Sequence, residues 1–269
     1  MPDPKVAVVT GASSGFGQLT AERLSDRGWR VFGTSRQQRD ATRIEMRVLD
    51  VRSGESVGRF VDDVLRAAGR VDLLVNNAGA THVSLAEETA LGEAEALFQT
   101  NFFGAVRMTN AVLPSMRDQR RGRIINVGSL AGLVGVPGQA FYAASKHALE
   151  GYAESLRYEL EPLGISVSIV EPGFYRTALH ERVSPAARRI PAYDRVRSAV
   201  RGAIERSFAE GGDPADVAEL IARVAEEDRP GLRYRVGKDA RLVPRLKKVL
   251  PENLFAIGFR KQFGLPPAT

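Results

Sequence analysis

Tyr142-Ala-Ala-Ser-Lys146 reads as the opening of a helix, so a phenol and an ammonium stand one turn apart on one face. A phenol can hand over a proton, but it ionises near pH 10 and needs help to work at neutrality. A nearby ammonium favours the phenolate. Lowering the value by about three units takes roughly 4 kcal/mol, which two close cations in a partly dry site can supply. An isolated Tyr-x-x-x-Lys would equally suit an exposed helix start, so the pair needs company before it means catalysis.

Thr10-Gly11-Ala12-Ser13-Ser14-Gly15-Phe16-Gly17 follows the apolar run Val6-Ala-Val-Val9 and precedes a helical stretch. Glycines there let the main chain turn tightly and approach a pyrophosphate, whose charge the helix N-terminus favours. The spacing is Gly-x-x-x-Gly-x-Gly, and a glycine cluster alone is a weak signal. Its place at the first strand–turn–helix points to a dinucleotide. A unit that chooses NAD ends its second strand with an acid, whereas here the segment is Gly33-Thr34-Ser35-Arg36. Arg36 offers a planar cation to a 2′-phosphate and Ser35 a hydroxyl, so NADP(H) is expected. Its oxidised nicotinamide would be the second cation beside Tyr142.

The elements that must position these groups alternate along the chain. Strand-like runs fall near residues 6–9, 29–34, 45–49, 71–75, 123–127, 165–170 and 232–236, separated by helical stretches. In one of these, Val57, Phe60, Val61, Val64, Leu65 and Ala68 recur at helical spacing, and Gly69 closes it. Gly28 ends an earlier one. Such alternation implies an α/β fold, a doubly wound parallel sheet covered by helices on both faces, Rossmann-like. With 269 residues, 43% hydrophobic and 26% charged, one domain over residues 1–269 is expected. Residues 178–212 are polar and Arg-rich and are expected to act as a substrate lid. Residues 238–269 form a basic, aromatic C-terminal extension.

The Tyr–Lys pair is not isolated. The glycine turn, Asn76-Asn77-Ala78-Gly79, Asn101, Ser129, Tyr142-x-x-x-Lys146, and Pro172-Gly173 followed by Thr177 resemble the short-chain dehydrogenase/reductase family in order and spacing. The resemblance covers about residues 5–237. The stretch from Ser129 to Tyr142, with Phe102-Phe-Gly104 and Arg233-Tyr-Arg-Val-Gly237, looks most like the branch holding 17β-hydroxysteroid and retinol dehydrogenases. The resemblance implies that Tyr142 is the general acid/base, Ser129 polarises the substrate oxygen, Lys146 binds the nicotinamide ribose and lowers the Tyr142 pKa, and Asn101 holds a water linking Lys146 to solvent. It further implies that Gly11, Ser13, Ser14, Gly15, Phe16 and Gly17 surround the pyrophosphate or its ribose. Asp50 and Val51 would flank the adenine, and Asn76, Asn77, Ala78 and Gly79 the passage between the two nucleosides. Pro172, Gly173, Tyr175 and Thr177 would hold the carboxamide end, although Tyr175 stands where an aliphatic residue is usual.

The implied reaction is hydride transfer between NADP(H) and a carbonyl or secondary alcohol. Thr81, His82, Val83, Leu130, Val136, Phe141 and Phe174 would line the pocket, an apolar set that suits a lipophilic ketone. Lid arginines Arg182, Arg188 and Arg189 could instead meet a carboxylate, and His180 could touch substrate. The alternative is a protein that senses NADP(H) without turnover, but such a protein would be expected to lose Tyr142 or Lys146. A sugar-nucleotide epimerase ranks last, on length and glycine spacing. A homodimer or homotetramer is implied by the family.

Other classes are set aside on composition. The chain has no cysteine, which removes disulfides and thiolate chemistry and fits a reducing cytoplasm. His82, His147 and His180 are too scattered for a metal site. The net charge is +6, but arginines are spread along the chain and nucleic-acid binding is not expected. No apolar run is long enough to span a bilayer. Leu254, Ile257, Phe259 and Phe263 cannot all stay in water, and packing on the protein or another subunit is expected rather than membrane contact, because Pro251 and Gly258 should interrupt the segment.

Overall fold

The run Val6–Val9 has no polar alternation because it is covered on both faces: in the computed structural model, which describes residues 3–39, 43–177 and 188–266, it forms β1 and is buried throughout. β2 (Arg30–Ser35), β3 (Glu45–Val48), β4 (Leu73–Asn76), β5 (Gly122–Val127), β6 (Ile165–Pro172) and β7 (Arg233–Val236) join it in one sheet of order β3-β2-β1-β4-β5-β6-β7. Every neighbouring pair is parallel. The chain winds outward from β1 to β3, then crosses back to place β4 on the other side of β1. That reversal opens a crevice at the C-terminal ends of β1 and β4, the place where such sheets bind ligands.

Side chains alternate across the sheet. Val6 and Val8 face α2 (Gly54–Ala68), α4 (Gly104–Asp118) and α5 (Ala140–Leu160), whereas Ala7 and Val9 face α1 (Gly15–Asp26) and α7 (Pro214–Glu226). The helical spacing of Val57, Phe60, Val61 and Val64 is that of a buried stripe, and α2 ends at Gly69 with φ +72°. Gly28, at φ +82°, follows the end of α1. The remaining described helices are α3 (Leu91–Phe98), α6 (Asp194–Ala209), α8 (Lys238–Val249) and α9 (Glu252–Gln262). None is long and apolar enough to cross a membrane.

Strand ends moved where a neighbour decides them. β6 runs on to Pro172 because Glu171 and Pro172 pair with Arg235 and Val236 of β7. β4 starts later than its apolar run, since the Asp72 carboxylate accepts the Val6 N–H at 2.9 Å. A third apolar cluster unites Leu130, Val134 and Val136 with Val200, Ala203 and Ile204 of α6, Ala240 of α8, and Phe263. Most of the described part of the expected lid is therefore a packed helix. Glu88, fully buried, anchors it by accepting hydrogen bonds from the Ile190 N–H (2.8 Å) and Arg197 Nε (2.9 Å). The first residues of that lid, with His180 and Arg182, lie outside the described residues.

The C-terminal extension is a pair of helices. Pro251 does separate α8 from α9, but Gly258 sits inside α9 without breaking it, because a glycine keeps its N–H and lowers helix propensity without blocking the turn. Phe259 and Phe263 turn inward as expected; Leu254 and Ile257 do not and stay exposed.

Candidate active site

A cavity of about 740 Å³ lies in the crevice. Gly11 (φ +67°) and Gly15 (φ +56°) both occupy the left-handed region that the turn requires. Ser14 precedes α1 without capping it through its side chain, so the first-turn amides remain available to an anion. The turn is tied to the sheet: Thr10 Oγ1 accepts the N–H groups of Asn77 and Ala78 at 2.9 Å each, and Asn77 Nδ2 donates to the Thr10 carbonyl at 2.8 Å. Gly11, Ser13, Ser14, Gly15 and Phe16 border the cavity, as do Asn77, Ala78 and Gly79. Gly17 does not. A Cβ there would sit 2.3 Å from both Asn77 Nδ2 and the Gly11 carbonyl, so this glycine lets α1 pack under the turn. Asn76 also departs from expectation, lying buried and donating to Asn126 Oδ1 (3.0 Å) and Thr109 Oγ1 (3.2 Å) between β4, β5 and α4.

Ser35, Arg36, Asp50 and Val51 border the far end of the cavity, joined by Gln37, Arg39 and Arg52. Asp50 is bound to Arg52 at 2.7 Å, and that hydrogen bond holds its carboxyl below the ordinary value. Arg36 makes no hydrogen bond or ion pair among the described residues, and its charge also favours ionised Asp50. Sequence reasoning overlooked Arg39 and Arg52; the only signal was a cation two positions beyond Asp50. The glycine cradle, open amides and basic far end fit a dinucleotide in size and charge.

At the other end, Lys146 of α5 is buried and donates to the Val127 carbonyl at 2.8 Å, with Nζ 5.9 Å from the centre of the Tyr142 ring. Tyr142 and Lys146 border the large cavity, while Tyr142 and Ser129 border a smaller one of about 60 Å³. Tyr142 thus stands at their junction. Burial holds its phenol above the usual value, opposed by a hydrogen bond with Ser129. Burial also pushes Lys146 down to about 8, with Glu150 opposing. For Tyr142 burial is the larger of the two effects, so without a bound cofactor the phenol lies above its usual value rather than below it.

Asn101 sits in a π turn over Gln99–Phe103. Its side chain is committed: Oδ1 accepts the Ala80 N–H at 2.8 Å, and Nδ2 donates to the Ala80 carbonyl (2.9 Å) and Ser145 Oγ (3.1 Å). Ser145, which sequence reasoning missed, donates in turn to the Tyr142 carbonyl at 2.7 Å. A π turn releases main-chain groups from the ordinary ladder, so a water held at Asn101 would use its main chain.

The smaller cavity is bordered by Thr81, Leu130, Val136 and Phe174 from the expected set, and by Pro172, Gly173, Tyr175 and Thr177. His82, Val83 and Phe141 are not part of it, whereas Ala131, Gln139 and Phe208 of α6 are. Tyr175 is buried and sets its ring edge-on to Phe16, the centroids 5.6 Å apart. Asp239, 65 positions away and unforeseen, accepts the Phe174 N–H at 2.7 Å and fills the space beside Gly173. Arg188 and Arg189 reach Glu87 (3.8 Å) and Asp194 (3.1 Å) rather than the cavity. His147 is exposed, with Nδ1 2.9 Å from the Ala143 carbonyl.

The fold and site belong to a class, and comparison with known proteins defines it. The family model of the short chain dehydrogenases matches residues 5–188, and the chain belongs to that family. It is 37% identical to the 3-ketodihydrosphingosine reductase of Bacteroides thetaiotaomicron over 261 residues, 96% of this chain and 97% of the relative. A short-chain dehydrogenase from Streptomyces avermitilis superposes with a TM-score of 0.82 at 37% identity, covering 97% of this chain and 98% of that one. The closed form of serine dehydrogenase complexed with NADP+ superposes at 0.74 with 26% identity, covering 86% and 94%. The chain is thus an oxidoreductase that uses a nicotinamide cofactor on a small molecule.

Proposed function

We propose that this protein is an NADP(H)-dependent carbonyl reductase, or alcohol dehydrogenase in reverse, acting on a lipophilic ketone or secondary alcohol. The observation that carries this is the position of Tyr142 between two cavities, one fit for a dinucleotide and one lined by Leu130, Ala131, Val136, Phe174 and Phe208. The cofactor supplies hydride to the carbonyl carbon when bound. Tyr142 delivers its phenolic proton to the carbonyl oxygen, and Ser129 Oγ donates a hydrogen bond to the same oxygen. Lys146 has two N–H donors left after the Val127 carbonyl, which serve the ribose hydroxyls, and the Asn101 main chain holds the water that returns a proton. Arg36 and Arg39 favour a 2′-phosphate, and Asp50 does not oppose it because Arg52 neutralises it.

The Bacteroides relative, named for 3-ketodihydrosphingosine, makes a long-chain ketone the first substrate to try. We place the protein in the cytoplasm, which a cysteine-free chain suits, as a homodimer or homotetramer through α4 and α5, near which Phe103 and Tyr158 stay exposed. NADPH absorbance followed across aliphatic, aryl and steroidal ketones, with 3-ketodihydrosphingosine among them, tests the proposal. Turnover of apolar ketones well above that of short polar ones is the expected result. Cofactor binding without turnover of any of them would favour a sensing protein instead.

A further inference from the structure

The outer face of the C-terminal helix pair is apolar and uncovered. Six of the ten large hydrophobic side chains exposed among the described residues lie between positions 242 and 257. Leu242 (55% exposed), Leu246 and Val249 (78%) recur at i, i+4 and i+7 on α8. Leu250 lies in the bend, and Leu254 and Ile257 (63%) continue on α9. These residues are not a core left incomplete, because each helix has a separate inner face. Phe255, Phe259 and Phe263 follow one another with ring centroids 5.3 and 5.1 Å apart, and with Val243 and Ala240 they pack on Leu130, Val134 and Val136, of which Leu130 and Val136 border the smaller cavity.

Charge says what covers the outer face. Residues 238–262 carry seven cations against Asp239 and Glu252, a net +5 of the chain's +6, so the rest of the protein is nearly neutral. Asp239 is committed to the Phe174 N–H. Lys238, Arg245, Lys248 and Lys261 make no ion pair or side-chain hydrogen bond among the described residues. A symmetric contact between two copies would set the same patch against itself and oppose +5 with +5. An anionic lipid surface matches both the aliphatic stripe and the free cations.

We propose that α8 and α9 dock the protein on an anionic membrane surface, lying in the interface without crossing it, with the substrate side of the molecule toward the lipid. This does not depend on the substrate assigned above, since docking is read without turnover.

The test is co-sedimentation of the full chain with vesicles of equal parts phosphatidylglycerol and phosphatidylcholine, and of phosphatidylcholine alone. The parent should pellet with the anionic vesicles and much less with the neutral ones. The combined Leu246→Gln, Val249→Gln and Ile257→Gln variant, and separately Arg245→Glu with Lys248→Glu, should each weaken binding by about tenfold or more. Thermal melting of both variants should match the parent, because only exposed side chains change. A parent that stays in the supernatant with anionic vesicles overturns the proposal, as does undiminished binding by the glutamine variant. A glutamine variant that loses subunits in light scattering, from a parent that ignores vesicles, would assign the face to a second copy.

Discussion

Glu150 and Glu171 are two buried carboxylates that share Arg233. Arg233 Nε lies 3.1 Å from Glu150 Oε2 and 3.5 Å from Glu171 Oε1, while Arg235 Nε holds Glu171 Oε2 at 3.0 Å. Burial raises both carboxyls, with Glu150 pushed up to about 7. A hydrogen bond between the two carboxyls raises Glu150 and lowers Glu171, so the proton is favoured on Glu150. Glu150 also follows Lys146 by one helical turn and raises the lysine's pKa.

That pair makes stability depend on pH near neutrality. A carboxyl whose folded pKa lies above its unfolded value, about 7 against 4.5, favours the folded state when protonated. Its contribution is therefore full below the unfolded value and lost as pH rises through the folded one. Chemical denaturation should show stability falling by roughly 2 kcal/mol between mildly acidic and mildly alkaline solution. Glu150→Gln, which stays neutral, should flatten that slope. A parent slope unchanged by the substitution would count against the proton on Glu150.

Tyr142→Phe should reduce carbonyl turnover by about a hundredfold or more, the usual contribution of a positioned acid. NADPH affinity should stay nearly intact, because the contacts proposed for the cofactor run through the glycine turn and Lys146 rather than the phenol. Single-turnover kinetics and fluorescence titration separate the two effects. Residual turnover within about tenfold of the parent would mean that another group supplies the proton.

Calorimetry should find NADPH bound at least about tenfold more tightly than NADH, or 1.4 kcal/mol. Arg36→Asp combined with Ser35→Ala should erase or reverse the preference. Equal affinities in the parent would remove the argument built on the end of β2.

Two glycines of one turn should respond differently to alanine. Gly17→Ala forces a methyl to within 2.3 Å of the Gly11 carbonyl and should cost about 3 kcal/mol in denaturant unfolding. Gly15→Ala meets nothing nearer than Thr177 at 3.7 Å, so only its positive φ opposes it, at about 1 kcal/mol. Because Gly15 borders the cavity, its variant should lose NADPH affinity out of proportion to stability.

What the sequence determined by itself was local. Apolar runs without alternation specify buried parallel strands, the helical spacing from Val57 to Val64 specifies α2, and glycines 11 and 15 specify a turn with left-handed residues. Tyr142 and Lys146 could be placed together for the same reason, since helix geometry sets their separation. Tertiary structure decided whatever depends on a distant partner. Gly17 and Asn76 belong to packing rather than to the cavity because Asn77, Gly11 and Asn126 close on them. Asp239 reaches Phe174 from 65 positions away, and Glu171 meets Glu150 only because β6 runs beside α5. Which faces of α8 and α9 are covered was equally undecided, since both carry apolar residues and only the packing of Phe255, Phe259 and Phe263 leaves the aliphatic side to solvent. Periodicity states that a face must be buried; it does not state against what.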